Sequence, residues 1–171
     1  RKKDLIIRSG HNIDPSTIEG PLYHIPGVQM AAAVGRPDPY AGEVPVAYVQ
    51  TEEGAGLTPE IILDNVKREI GERAAVPKEI VIIDRMPLTA VGKVFKPALR
   101  WDSIRRVYES EMQQLGNLVE SLAVSVGEDK VHGSLAVITI KPTAAVSRET
   151  VRTKVDRVLG HFTTRYRLEW Q

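Results

Sequence analysis

Apolar residues recur along this chain with two alternating spacings, one close to two and one close to three and a half, which predicts short strands interleaved with amphipathic helices. Leu5-Ile6-Ile7-Arg8 is a brief apolar run ending at Ser9-Gly10, so it reads as a strand entering a turn. Asp14-Pro15-Ser16 then opens a helix, with Asp14 as cap, Pro15 at the first helical position and Ile18, Leu22 and Ile25 on one face. Pro26-Gly27 is expected to stop it. Val28 to Val34 and Val44 to Val49 read as strands, the second with Pro45 at its start or on a sheet edge. Thr58-Pro59-Glu60 caps a second helix whose stripe is Ile61, Ile62, Val66 and Ile70, and Glu79 to Ile83 forms a third strand.

The stretch from Met86 to Arg100 breaks the pattern. It carries Pro87, Pro97, Gly92 and the cations Lys93, Lys96 and Arg100, so it reads as a loop that presents Lys93 and not as a regular helix or central strand. After it the order repeats. Trp101 to about Gln114 is a helix with Ile104, Val107, Tyr108, Met112 and Leu115 at helical spacing. Strands at 119–126 and 134–141, a helix capped by Ser147 and running to about Leu159, and a strand at 164–170 follow. Val34-Gly35 before Gly42 is echoed by Val126-Gly127 before Gly133, and early glutamates Glu60 and Glu149 mark the later helix of each half.

The expected class is therefore α+β: two small αββαβ units with ferredoxin-like sheets and helices packed on one face, preceded by a short N-terminal strand or hairpin. The units cover about 15–84 and 101–170, and their identity is slight enough that convergent packing is an equal explanation. The expected domains are 1–100, with the loop at 86–100, and 101–171.

Composition narrows the classes. A hydrophobic share of 42%, a charged share of 26% and nine aromatic residues (two Trp, five Tyr, two Phe) fit a globular chain. At 171 residues, roughly 70% of the unfolded surface can be buried. No apolar run reaches the roughly 18 to 20 residues of a spanning helix, and the N-terminus has no signal-peptide core. With no cysteine there is no disulfide or thiol nucleophile, and a cytoplasmic setting is expected. A net charge of +1 removes the long-range case for nucleic acid. His11, His24, His132 and His161 are too scattered for a zinc site, so no metal is expected. A chain opening on Arg1 instead of methionine is expected to be a fragment, with tag removal or processing as alternatives.

Three separated stretches, RKKDLIIRSGHNIDPSTIE, VGRPDPYAGEVPVAYV and VPKEIVIIDRMPLTAVGKVFKPALR, resemble the C-terminal domain of the adenylate-forming (AMP-binding) enzymes, in particular the AMP-forming acyl-CoA synthetases. The resemblance covers residues 1–100 in order and leaves 101–171 as a C-terminal extension. It implies an acid–CoA ligase that uses ATP, releases AMP and takes CoA, with a larger N-terminal adenylating domain of the same protein as partner and a carboxylic acid, a fatty acid in the first instance, as substrate. Magnesium would travel with ATP in that other domain, and no cofactor is expected on the fragment, which is expected to be inactive alone. Gly92-Lys93 only mimics a Walker motif, since Val94 follows and Pro87 replaces the first glycine.

The resemblance implies that Lys93 is the catalytic lysine of adenylation, supported by Gly92, that Arg1 contacts the adenylate ribose, and that Lys3 is the hinge about which the domain rotates. It also implies that Gly10, with Ser9 and His11 beside it, lies along the pantetheine of CoA. Lys96 and Arg100 are expected to keep the loop soluble, with phosphate binding as the alternative. The extension is expected to support structure, pairing or regulation, and a homodimer through it is left open. Two rival functions remain: an adenylation domain loading the phosphopantetheine of a carrier protein, and a standalone ferredoxin-like binding or assembly module.

Overall fold

Ser9 and Gly10 both sit in the left-handed region, at φ of +50° and +79°. That pair of angles lets a two-residue turn join β1 (Ile6–Arg8) to β2 (His11–Ile13), with Arg8 opposite His11. The computed structural model describes residues 4–171, so Arg1 and Lys3 lie outside the described residues. The chain divides into two compact units, Arg1–Arg100 and Trp101–Gln171.

In the first unit the hairpin leads to α1 (Ser16–Tyr23), β3 (Val28–Asp38), β4 (Gly42–Thr51), α2 (Pro59–Glu69) and β5 (Glu79–Ile82). β4 is central: it runs antiparallel to β3, parallel to β5 from Val46/Glu79 to Val49/Ile82, and touches β1 at Arg8/Gly42. Thr58 caps α2 as its sequence predicts, its side chain accepting from the Ile61 amide. Three details differ from expectation. Pro15 takes the cap position of α1 and the Asp14 carboxylate accepts from the Ser16 amide at 2.9 Å, while the helix carries Pro21 inside it and ends at Tyr23. Ile61 is 44% exposed, because Ile62 and Val66 already fill the buried stripe of α2.

Pro45 stands inside the central strand, neither at its start nor on an edge. Its missing N–H is tolerated because β1 pairing has ended at Gly42 and β5 pairing begins only at Val46; the Pro45 carbonyl still accepts from the Lys78 amide at 2.8 Å.

This sheet is covered on both faces. One face packs Ala31, Ala33, Ala47 and Val49 against Ile18 and Leu22 of α1 and Ile62 and Val66 of α2. The opposite face packs Ala32, Val34, Val46 and Tyr48 against Met86 and Leu99.

The second unit comprises most of α3 (Lys96–Met112), β6 (Val119–Asp129), β7 (Gly133–Pro142), α4 (Arg148–Leu159) and β8 (Arg165–Trp170). α3 starts earlier than its apolar spacing suggests, so Lys96–Arg100 is helical and not loop; Pro97 in the first turn needs no donor, which is why it does not break the helix. β7 is central, antiparallel to β6 and parallel to β8. Ile104, Val107, Tyr108 and Met112 of α3 pack with Val151, Val155 and Leu159 of α4 onto Ala136, Ile138 and Ile140. The Tyr108 hydroxyl donates to the Thr164 carbonyl at 2.6 Å, and burial pushes its phenol up to about 12.

The α+β class and the αββαβ order of both units thus hold. The units share detail as well as order. Asp38 Oδ1 accepts from the amides of Tyr40 and Ala41 ahead of Gly42 at φ +77°, and Asp129 Oδ1 accepts from those of Val131 and His132 ahead of Gly133 at φ +77°. Among the described residues no helix is long and apolar enough to cross a membrane.

Met86 is 1% exposed and Leu99 3%, so truncating either should open a cavity under the Lys93 loop. Met86→Ala or Leu99→Ala is expected to cost about 2–4 kcal/mol in urea unfolding, whereas Val91→Ala, at a side chain 80% exposed, should leave the midpoint almost unchanged.

Candidate functional site

Between the buried anchors Met86 and Leu99 the chain forms a small closed turn. Leu88 and Val94 pair as an antiparallel bridge, the Thr89 amide donates to the Lys93 carbonyl at 2.7 Å, and the Gly92 amide donates to the Thr89 carbonyl at 2.9 Å. The Thr89 hydroxyl accepts the Lys93 amide at 3.1 Å. Gly92 holds φ at +75°, which closes the turn at a conformation disfavoured for any side chain with a Cβ. Lys93 therefore projects from an ordered hairpin tip, and it is exposed.

The three cations of this stretch behave differently. Lys96 Nζ lies 2.5 Å from Glu19 Oε1, and Arg100 donates to Asp4 Oδ1 at 2.7 Å. Both pairs are largely buried, with Lys96 19% and Arg100 28% exposed, so these residues fasten the loop instead of solubilising it. Lys93 has no carboxylate partner among the described residues. The Asp4–Arg100 pair also sets Asp4 against the end of the loop. Burial opposes the charge on Asp4, but the Arg100 hydrogen bond and charge, with Lys96 adding, outweigh it and hold the carboxyl below its ordinary value.

At Gly10 the backbone angle is what demands glycine, since a Cβ there would meet nothing within 4 Å; that side of the turn is open. Ser9 donates its amide to the Ala41 carbonyl at 2.7 Å, and the His11 ring is hydrogen-bonded to Glu72. No hydrogen bond or ion pair joins Lys93 to Ser9, Gly10 or His11 among the described residues.

The residue before the turn, Arg8, lines a groove that sequence reasoning missed. A cleft of about 450 Å³ is walled by Arg8, Lys67, Arg73 and Lys78 with Leu63, Val76 and Pro77, and no carboxylate lines it. Arg8 is held by the Ala74 carbonyl at 2.8 Å, and Lys67 stands 4.0 Å from Asp64. Arg73 and Lys78 have no ion-pair partner among the described residues. The signal in the sequence was weak: Lys67, Arg73 and Lys78 have no regular spacing, and Arg8 reaches them only through the fold. Among the described residues no group of three or more His, Asp and Glu side chains is placed to hold a metal ion.

Comparison with known proteins adds a family. Residues 17–93 match the model for the AMP-binding enzyme C-terminal domain. The chain is 43% identical over 143 residues to the marinolic acid–CoA ligase of Pseudoalteromonas sp. (strain SANK 73390), covering 84% of this chain and 22% of that protein. It is 38% identical over 100 residues to the feruloyl-CoA synthase of an Amycolatopsis species, covering 58% of this chain and 20% of that one. The crystal structure of the Brucella canis acyl-CoA synthetase superposes with a TM-score of 0.56 at 33% identity, covering 63% of this chain and 20% of its own. The chain thus spans about a fifth of the length of these relatives. An alignment of 143 residues exceeds the 100 of the first unit, so at least 43 of the residues aligned with the marinolic acid–CoA ligase lie in the second.

Because Asp4 has a depressed value in the folded chain, its pairing with Arg100 stabilises fully above the ordinary aspartate value of 3.8 and is lost as pH falls below it. Asp4→Asn should therefore unfold more easily than the parent near neutral pH, by up to about 1 kcal/mol, and the gap should close in strongly acidic solution when both are followed by denaturant titration.

Proposed function

We propose that this chain, whose residues 17–93 belong to the AMP-binding enzyme C-terminal domain family, is the mobile C-terminal part of an AMP-forming acyl-CoA ligase. The observation that carries the reading is Lys93: exposed, without a carboxylate partner among the described residues, and held at the tip of a hairpin whose two ends are buried. An N-terminal adenylating domain of the same protein holds ATP and the carboxylic acid, and a cytoplasmic setting goes with that chemistry.

In the first half-reaction a carboxylate oxygen attacks the α-phosphorus and the bond to pyrophosphate breaks. Negative charge gathers on the attacking oxygen and on the phosphate oxygens together. The Lys93 ammonium touches both, and it stabilises the transition state more than the separate reactants because only there do the two anionic groups converge. A compact ammonium suits this better than a planar guanidinium, which would need a fixed bidentate partner. The domain then turns about Lys3, with Arg1 on the adenylate ribose. The Asp4–Arg100 pair fastens Asp4 to the end of the loop, so that the two turn together.

In the second half-reaction the CoA thiolate attacks the acyl carbon and AMP leaves. Gly10 offers the open side of its turn to the pantetheine arm, flanked by Ser9 and His11. The groove of Arg8, Lys67, Arg73 and Lys78 continues from that turn and fits the phosphates of CoA's nucleotide end. A carrier-bound phosphopantetheine has no such nucleotide, so the groove favours free CoA as acceptor.

In the intact enzyme, Lys93→Ala should lower acid-dependent pyrophosphate exchange by about 10²–10³-fold while thioester formation from supplied acyl-AMP changes little; equal loss in both half-reactions would overturn the assignment. The double change Arg73→Ala and Lys78→Ala should raise KM for CoA about tenfold or more, with adenylation and the KM for pantetheine unchanged. A parallel loss with pantetheine would remove the groove from the proposal.

A further inference from the structure

β3 and β6 hold the same place in their units. Each is an eleven-residue strand at the end of its sheet order, antiparallel to the central strand, with a register shift at its start: Val28/Met30 in β3 and Val119/Ser121 in β6. An edge strand turns the N–H and C=O of alternate residues away from its neighbour, towards anything that approaches.

In β3 those groups are covered. The Tyr23 hydroxyl accepts from the Ala31 amide at 3.1 Å and donates to the Ala31 carbonyl at 3.2 Å, and Glu19 Oε1 accepts from the Ala33 amide at 2.9 Å. The offset of 119 minus 28 between the strand starts maps Ala31, Ala33 and Gly35 onto Leu122, Val124 and Val126. Among the described residues no side chain is hydrogen-bonded to the backbone between Ser121 and Gly127.

The opposite edge of the second sheet is β8, where Arg165, Arg167 and Glu169 place charge at every other position and discourage pairing. β6 keeps its charges at its ends: Ser121-Leu122-Ala123-Val124-Ser125-Val126-Gly127 is uncharged, with Glu120, paired with Lys141, before it and Glu128 and Asp129 after it.

We infer that β6 pairs antiparallel with β6 of a second copy of this chain, joining the two three-stranded sheets about a two-fold axis at Val124. Residues 121–127 are self-complementary in this register, and the Glu120–Glu128 pairs that flank them are offset by Lys141, which already pairs with Glu120. Val124 faces Val124, Leu122 of each copy faces Val126 of the other, and every outward N–H and C=O of these three residues gains a partner. Leu122, Val124 and Val126 belong to the apolar core under the helices, so the join extends that core across the axis. On the opposite face Ala123 meets Ser125, and both are small and exposed, so neither obstructs the approach. Because the same strand serves on both sides, the contact closes at a dimer and does not propagate. The inference is independent of the catalytic reading, since it uses none of the residues assigned to it.

Sedimentation of the full 171-residue chain over a wide concentration range is expected to show a monomer–dimer equilibrium. The double change Ala123→Lys and Ser125→Lys sets like charges opposite each other twice across the proposed axis. It should weaken dimerisation at least tenfold, about 1.4 kcal/mol, with an unchanged circular dichroism spectrum. The double change Ala123→Glu and Ser125→Glu should do the same. Mixing the two variants should restore a dimer, since each lysine then faces a glutamate. A parent chain that stays monomeric throughout, a lysine variant that dimerises as the parent does, or a mixture that fails to recover would overturn the inference.

Discussion

Met86 and Leu99 bury their side chains on the face of the first sheet that α1 and α2 leave open, against Ala32, Val34, Val46 and Tyr48. Most else in that unit follows from this contact. A sheet apolar on both faces has to be covered on both, and here the second cover is the chain on either side of Lys93. The strand face explains why alanines and valines run together in β3 and β4 without polar alternation. It also explains how a lysine can be exposed and yet well placed: the residues flanking its turn are held by packing, and the turn itself by Thr89, Gly92 and the Leu88–Val94 bridge.

Charge is arranged around that scaffold with a clear division. Lys96 and Arg100 are committed to Glu19 and Asp4, so their charges are neutralised close by and their cost of partial burial is offset. Lys93 is left uncommitted at the tip. In the groove beside the hairpin the same division recurs, with Arg8 fixed by a carbonyl and Arg73 and Lys78 left without ion-pair partners among the described residues.

The two units show how one topology can be finished in two ways. Their central strands, their parallel third strands and their Asp-led turns before Gly42 and Gly133 correspond closely. Their edges do not. α1 spends a tyrosine and a glutamate on the backbone of β3, and nothing equivalent is bonded to β6. The second unit also has no counterpart of Gly92-Lys93.

Period and punctuation in the sequence were enough to determine the element order, because strand and helix spacing, the caps Thr58 and Ser147 and the glycines Gly10, Gly42 and Gly133 act through neighbours a few residues away. The prominence of the Gly92-Lys93 stretch was legible for the same local reason. Boundaries that depend on distant partners were not. Pro45 could be placed in a central strand only once β1 and β5 were seen to leave its N–H side free, Ile61 faces solvent because two better-placed residues fill the core, and Pro97 proved to open a helix. The ion pairs Asp4–Arg100 and Glu19–Lys96 and the four-cation groove join residues far apart in the chain, and no local spacing encodes them. Only the tertiary structure decided which cations are paired within the fold and which stay exposed, since pairing depends on the approach of side chains that the sequence keeps tens of residues apart.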